Sequence, residues 1–173
     1  MGLRGAGHRF MPNRLVFPGG AVDRADAATP AAAEPDPDTL AMLARNARPR
    51  LARALVLAAA RELQEETGLS FGTPLDLRAI HYLCRAVTPP SMAIRFNARF
   101  LVAAATATTG TPADSRELEG LRFYGVEEAL SLDIMLVTRE VLQRLQAWLA
   151  LDDAARRARP ALPVFKERRW RTE

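Results

Sequence analysis

This chain is poor in several things, and each scarcity excludes something. Its 173 residues hold one cysteine, Cys84, so no intramolecular disulfide framework supports the fold. No apolar run approaches the length that spans a bilayer; the longest near the acidic segment discussed below is 54–60. A secretory leader is not visible, so the cytoplasm is the expected location and no membrane is expected as a partner. Lys166 is the single lysine, so the net charge of +4 comes almost wholly from arginine. No internal repeat is apparent. At 49% hydrophobic residues, the chain has enough apolar surface for one globular domain with a real core.

The most informative stretch is Arg61-Glu62-Leu63-Gln64-Glu65-Glu66-Thr67-Gly68-Leu69. Carboxylates at i, i+3 and i+4 stack Glu62, Glu65 and Glu66 on one helix face. Like charges that close repel and cost the helix stability. A hard divalent cation, which prefers carboxylate oxygens and is usually bound with substrate phosphates, offsets that cost. Gly68 suits a left-handed helix cap. The segment therefore predicts the last turns of a helix carrying a metal site. An ordinary solvated helix end is the bland alternative; five fixed positions matched together make it a rare coincidence.

The nonapeptide resembles the core of the Nudix box, Gx5Ex7REUxEExGU with U aliphatic. Arg61, Glu62, Glu65, Glu66 and Gly68 take its fixed places, and Leu63 and Leu69 its aliphatic ones. Upstream, Phe17-Pro18-Gly19-Gly20 supplies the opening glycine, and Asp26 stands where the pattern has Glu, with Asp23 as the alternative. Between Asp26 and Arg61 lie 34 residues where the pattern has seven, so the box is split by an insertion.

The resemblance implies an α/β/α sandwich with a mixed β-sheet between helices. It also implies metal-dependent hydrolysis of a small-molecule diphosphate. Glu62, Glu65 and Glu66 would hold Mg²⁺ or Mn²⁺, with the Gly19 carbonyl as a further ligand, and Arg61 would orient a box glutamate. The general base would be a box glutamate or an acid of a later loop, where Glu117 and Glu119 are the candidates.

The segment before the box resembles a pattern of coenzyme A diphosphatases, LLTxR[SA]x3Rx3Gx3FPGG. Arg4 and Arg9 fall on its two arginines, which makes them, with Gly20, candidate substrate-binding residues. Asn13 stands where glycine is usual and tolerates left-handed backbone. Thr88-Pro89-Pro90 followed by Arg95-Phe96-Asn97-Ala98-Arg99-Phe100 resembles a second feature of this group. Coenzyme A or an acyl-coenzyme A is the substrate so implied, with a nucleotide sugar or a dinucleotide as the runner-up. A Nudix-fold module without turnover is the rival from another class; the intact repulsive cluster argues against it.

Residues 1–155 are expected to form the hydrolase domain, with 27–50 as the insertion and 156–173 as a basic tail. Residues 27–38 read as loop. Asp38 or Thr39 would cap a helix over 40–47, and a long helix starts near 50 with Leu55, Ala59 and Leu63 inward. Strands are expected at 14–17, 76–87, 94–105 and 121–126, with a polar loop over 106–119. A last helix runs from 138 to 151 with Val141, Leu142, Leu145, Trp148 and Leu149 inward. The tail, with Arg156, Arg157, Arg159, Lys166, Arg168, Arg169 and Arg171, reads as a solvated arm or as a segment docked through Val164, Phe165 and Trp170. Nucleic acid is not the expected partner. Because so little precedes Arg4, a bare sheet edge is expected there, covered by upstream sequence or by a second copy in a homodimer.

Overall fold

A computed structural model describes residues 1–5, 13–157 and 161–173. A four-stranded mixed sheet lies at its centre, in the order β6-β5-β8-β9. Strand β5 (His81–Val87) pairs antiparallel with β6 (Asn97–Val102) and parallel with β8 (Pro163–Lys166). The hairpin closes with β9 (Arg169–Thr172). A second sheet, β2-β1-β7, joins β1 (Gly2–Arg4) antiparallel to β2 (Leu15–Val16) and to β7 (Leu118–Glu119). Helices cover the main sheet on both sides, so the architecture is the expected α/β/α sandwich.

One layer is the long helix α2 (Pro49–Thr67) with α1 (Pro37–Ala44) beside it. Pro49 opens α2 at a first-turn position, where a missing N–H costs nothing. Gly68 ends it at φ 73°, and its N–H reaches Gln64 O at 3.0 Å. The inward face differs from the one expected. Ala52, Val56 and Ala60 are buried, and so are Ala54, Leu57 and Ala58, whereas Leu55, Ala59 and Leu63 are half-buried. Small alanines let α2 approach the sheet closely while Val56 and Leu57 fill the core with Leu43, Leu77, Tyr82 and Leu162. Each fully buried aliphatic side chain is worth roughly 1.5–3 kcal/mol.

The opposite layer is α4 (Leu136–Leu149), whose Val141 and Trp148 pack on Leu83 and Cys84. Leu149, expected inward, is 51% exposed because it falls past the buried stripe. Short helix α3 (Val126–Ser131) precedes α4, and α5 (Asp153–Arg157) follows it.

Several expectations need correction. No strand forms over 121–126; the strand is two residues at 118–119, and 121–125 run as loop. Within 94–105 only 97–102 are extended, and Ile94 and Phe96 are exposed in the turn. The cap of α1 is Asp36, which accepts from the N–H groups of Asp38 (2.8 Å) and Thr39 (3.3 Å). Thr39 turns inward instead and donates to Ile80 O. In the insertion, Ala31–Ala33 form β3, parallel to β4 (Leu75–Asp76). Arg53 clasps this segment to α2 through both Glu34 oxygens (2.7 and 2.8 Å) and the carbonyls of Ala27 and Thr29.

The tail is not a free arm. Val164 and Phe165 are buried, and β8 adds a strand to the central one. The sheet thus crosses the boundary expected at 155, and docking through Val164, Phe165 and Trp170 is the arrangement observed. At the other end, Gly2–Arg4 itself supplies the strand beside β2 and pairs on both sides. The edge expected to be bare is therefore hydrogen-bonded within the chain.

Candidate active site

The carboxylates sit where α2 ends and two loops meet it. From one side comes the turn after β2, with Gly19 and Gly20. Gly19 N–H donates to Glu66 Oε2 at 2.7 Å. A Cβ on Gly20 would lie 2.3 Å from Glu62 Oε1, so the close approach requires glycine there. From the other side comes the polar loop. Its residues 109–113 are tied to the end of α2 by the Ser70–Thr109 bridge and by Ala113 N–H to Thr67 O at 3.0 Å. Asp114 accepts from the N–H groups of Gly120 and Leu121, and Ser115 Oγ from those of Glu117 and Leu118. This tight turn carries Glu117 to Glu66.

Glu66 is the unusual group. It is 3% exposed, and its Oε1 is buried without a hydrogen-bond partner among the described residues. Burial pushes its carboxyl up first, the Gly19 N–H opposes this, and the Glu117 and Glu62 carboxylates raise it further. The result is about 7 in place of 4.5. Two facing carboxylates are both acceptors when ionised, so Oε1 lacks a donor unless a proton or a cation lies between them.

Arg61 organises the other side. Its guanidinium donates to Asp26 Oδ1 (2.9 Å) and Oδ2 (3.2 Å), Glu62 Oε1 (2.7 Å), Glu65 Oε2 (3.0 Å) and Ala21 O (3.0 Å). The Asp26 bond, above all, raises its pKa. Asp26 is 2% exposed and also accepts from Asp23 N–H at 2.7 Å. Burial pushes the Asp26 carboxyl up, but the Arg61 and Asp23 bonds outweigh that and leave it below its ordinary value. Asp23 is exposed, so Asp26 is the acid that engages the box arginine across the insertion.

The predicted residues therefore divide. Glu62 and Glu117 both act on Glu66, beside Gly19 and Gly20. Glu65 is held by Arg61 with its side chain 58% exposed. Glu119 is exposed on β7, opposite Leu3, with no tie to the cluster among the described residues. Arg4 stands opposite Leu118, next to the Glu117 turn, and Gly5 N–H reaches Glu117 O at 3.3 Å. The Arg4 Nε is buried and unpartnered among the described residues. Arg9 lies outside the described residues. Asn13 takes φ 56° and closes the connection by donating to Arg4 O. Asp114 and Ser115 went unnoticed in the sequence; their turn-forming character was the available signal.

A divalent cation fits this donor set in charge and hardness, and an orphaned carboxylate oxygen marks where it would be held. The side chains do not form a finished cage. Among the described residues no three His, Cys, Asp or Glu side chains close around one point, because Arg61 draws Glu62 and Glu65 to itself.

No helix is long and apolar enough to cross a membrane among the described residues. The sequence matches no protein-family model. It matches no curated protein either. Among solved structures it is similar to the crystal structure of a Nudix hydrolase from Alicyclobacillus acidocaldarius. That likeness has 24% sequence identity and a TM-score of 0.62, over 84% of this chain and 82% of that one. A likeness of this degree establishes the fold: this chain is built as a Nudix-type α/β/α sandwich.

Proposed function

We propose that this chain is a metal-dependent hydrolase of a diphosphate linkage in a nucleoside diphosphate derivative, with coenzyme A or an acyl-coenzyme A as substrate. The observation that carries the reading is Glu66, a buried carboxylate with an unpartnered oxygen set against Glu62 and Glu117. A structural role alone gives no reason to bury one carboxylate against two others at the meeting point of two loops and a helix end.

Glu62, Glu65 and Glu66, with the Gly19 carbonyl, would hold Mg²⁺ or Mn²⁺. Such an ion neutralises a diphosphate and lowers the pKa of an attacking water. Glu117, which its turn brings to Glu66, is the group we assign to accept the proton of that water. Arg61 holds Glu62 and Glu65 in place and is itself anchored by Asp26. Arg4, which stands beside the Glu117 turn, is the arginine we assign to a substrate phosphate. The coenzyme A assignment is supported by Arg4, Arg9 and Phe17-Pro18-Gly19-Gly20 in sequence.

The test is a panel of coenzyme A, acyl-coenzyme A, nucleotide sugars and dinucleotides, each with Mg²⁺ and with Mn²⁺. Coenzyme A cleavage to 4′-phosphopantetheine and 3′,5′-adenosine diphosphate supports the full reading. Cleavage of another diphosphate alone supports the chemistry and overturns the substrate.

A further inference from the structure

Asp26 meets Arg61 across 35 positions of the chain, with Oδ1 2.9 Å from the Arg61 Nε. A connection of that length does not fix its own ends, because closing it costs entropy that a short link does not. A tie along the connection has to hold the Asp26 turn against α2.

Arg53 is the residue in place to do so. It lies on α2 before Arg61, about 12 Å away along the helix axis. Its guanidinium spends four bonds on one segment of the insertion. It donates to Ala27 O at 3.1 Å, to Thr29 O at 3.0 Å, and to Glu34 Oε2 and Oε1 at 2.7 and 2.8 Å. Ala27 belongs to the 3₁₀ turn Asp26–Ala28, and Thr29 closes that turn by donating its N–H to Asp26 O at 3.2 Å. Arg53 therefore grips the far end of the turn whose near end grips Arg61. The segment beyond is pinned as well, since Ala31 and Ala33 pair with β4 and Leu77 N–H donates to Ala33 O at 3.1 Å.

The Asp26 carboxylate takes two of the Arg61 bonds and offsets the guanidinium charge. Were the turn to drift, Arg61 would keep Glu62, Glu65 and the Ala21 carbonyl as its partners. Its charge would then compete with a cation for the same carboxylate oxygens.

We infer that Arg53 is a positioning residue for the carboxylate site, acting through Asp26 and Arg61 on the hold of a divalent cation; this rests on the metal-site reading of Glu62, Glu65 and Glu66. The insertion that splits the acid from the helix thus carries its own brace, with Glu34 as the anchor of Arg53.

Mn²⁺ is the probe, and the electron paramagnetic resonance signal of the free ion reads its binding to the full chain without substrate or turnover. Arg53→Gln should weaken Mn²⁺ binding about fivefold, less than the tenfold or more expected when a direct partner of the ligands is lost. In Asp26→Asn the link is already broken, so adding Arg53→Gln should change the affinity by less than about twofold. Urea unfolding of each variant shows that it is folded under the conditions of the titration. Where Arg53→Gln does not fold, Arg53→Lys takes its place, because it keeps the charge and loses the paired contact with Glu34. A lower urea midpoint with Mn²⁺ affinity within about twofold of wild type shows a merely structural tie and overturns the inference. An equal loss in the wild-type and Asp26→Asn backgrounds overturns it too, since Arg53 then acts by another route. Where Asp26→Asn binds no Mn²⁺, the single variant decides alone. A wild type that binds no Mn²⁺ overturns the metal-site reading and this inference with it, whereas a loss confined to Arg53→Gln in the wild-type background supports both.

Discussion

Replacing Glu66 with glutamine should make the metal-free protein more stable. Moving a carboxyl from 4.5 to about 7 in the folded state corresponds to roughly 3 kcal/mol at face value. Solvent at the open side of the site screens part of it, which leaves about 2 kcal/mol. Glutamine keeps the Gly19 contact through its carbonyl oxygen, and its amide can donate to Glu117, so little is lost in exchange. The folded-state value lies above the unfolded one, so the contribution of this group is fully present below about pH 4.5. That contribution falls as pH rises and is gone once pH passes about 7. Glutamine does not titrate. The gain of Glu66→Gln should thus be near zero at pH ~4 and about 2 kcal/mol at pH ~8, or about 4–8 °C in Tm for a chain of this size. Urea unfolding of both proteins in EDTA across this range is the assay. Excess Mg²⁺ should reverse the order, since it stabilises the wild type by mass action and has a weakened site in the variant. A variant no more stable than wild type at pH ~8 in EDTA, or equally stabilised at pH ~4, would refute the reasoning.

Asp26→Asn removes the buried anchor of Arg61 and should cost about 2 kcal/mol, read as a lower urea midpoint, together with a fall in turnover as Glu62 and Glu65 lose their orientation. Gly20→Ala drives a methyl into the Glu62 carboxylate; because that carboxylate can swing away, stability should fall by less than ~1 kcal/mol, while metal affinity measured by calorimetry falls at least tenfold. Phe165→Ala should cost about 3 kcal/mol by thermal or urea unfolding, whereas a solvated tail would lose less than ~0.5 kcal/mol.

How much the sequence revealed depended on how local the cause was. The end of α2 was legible because Gly68 and the carboxylate spacing act within two helical turns. The general layering was legible from the apolar strands and the two long helices. Which face of α2 turns inward was not, because alanines bury through close approach and not through their own hydrophobicity. Glu117 and Glu119 looked alike in sequence; the turn built by Asp114 and Ser115 brings one to Glu66 and leaves the other on β7. Basic residues disguised β8 and β9, since Lys166, Arg168, Arg169 and Arg171 suggest solvent while Val164, Phe165 and Trp170 between them do the packing. The insertion hid a strand of three alanines whose pairing with β4 depends on distant partners.

The central claim is that the Glu66 cluster is the seat of metal-dependent diphosphate cleavage. Its most direct measurement is the rate of coenzyme A cleavage by wild type and by Glu66→Gln, each with Mg²⁺ and with EDTA, under conditions where both proteins are shown to be folded. The account predicts turnover only for wild type with metal, and a loss of at least about a thousandfold in the variant, roughly 4 kcal/mol of transition-state stabilisation. Cleavage that persists in EDTA, or that Glu66→Gln leaves at the wild-type rate, would contradict it.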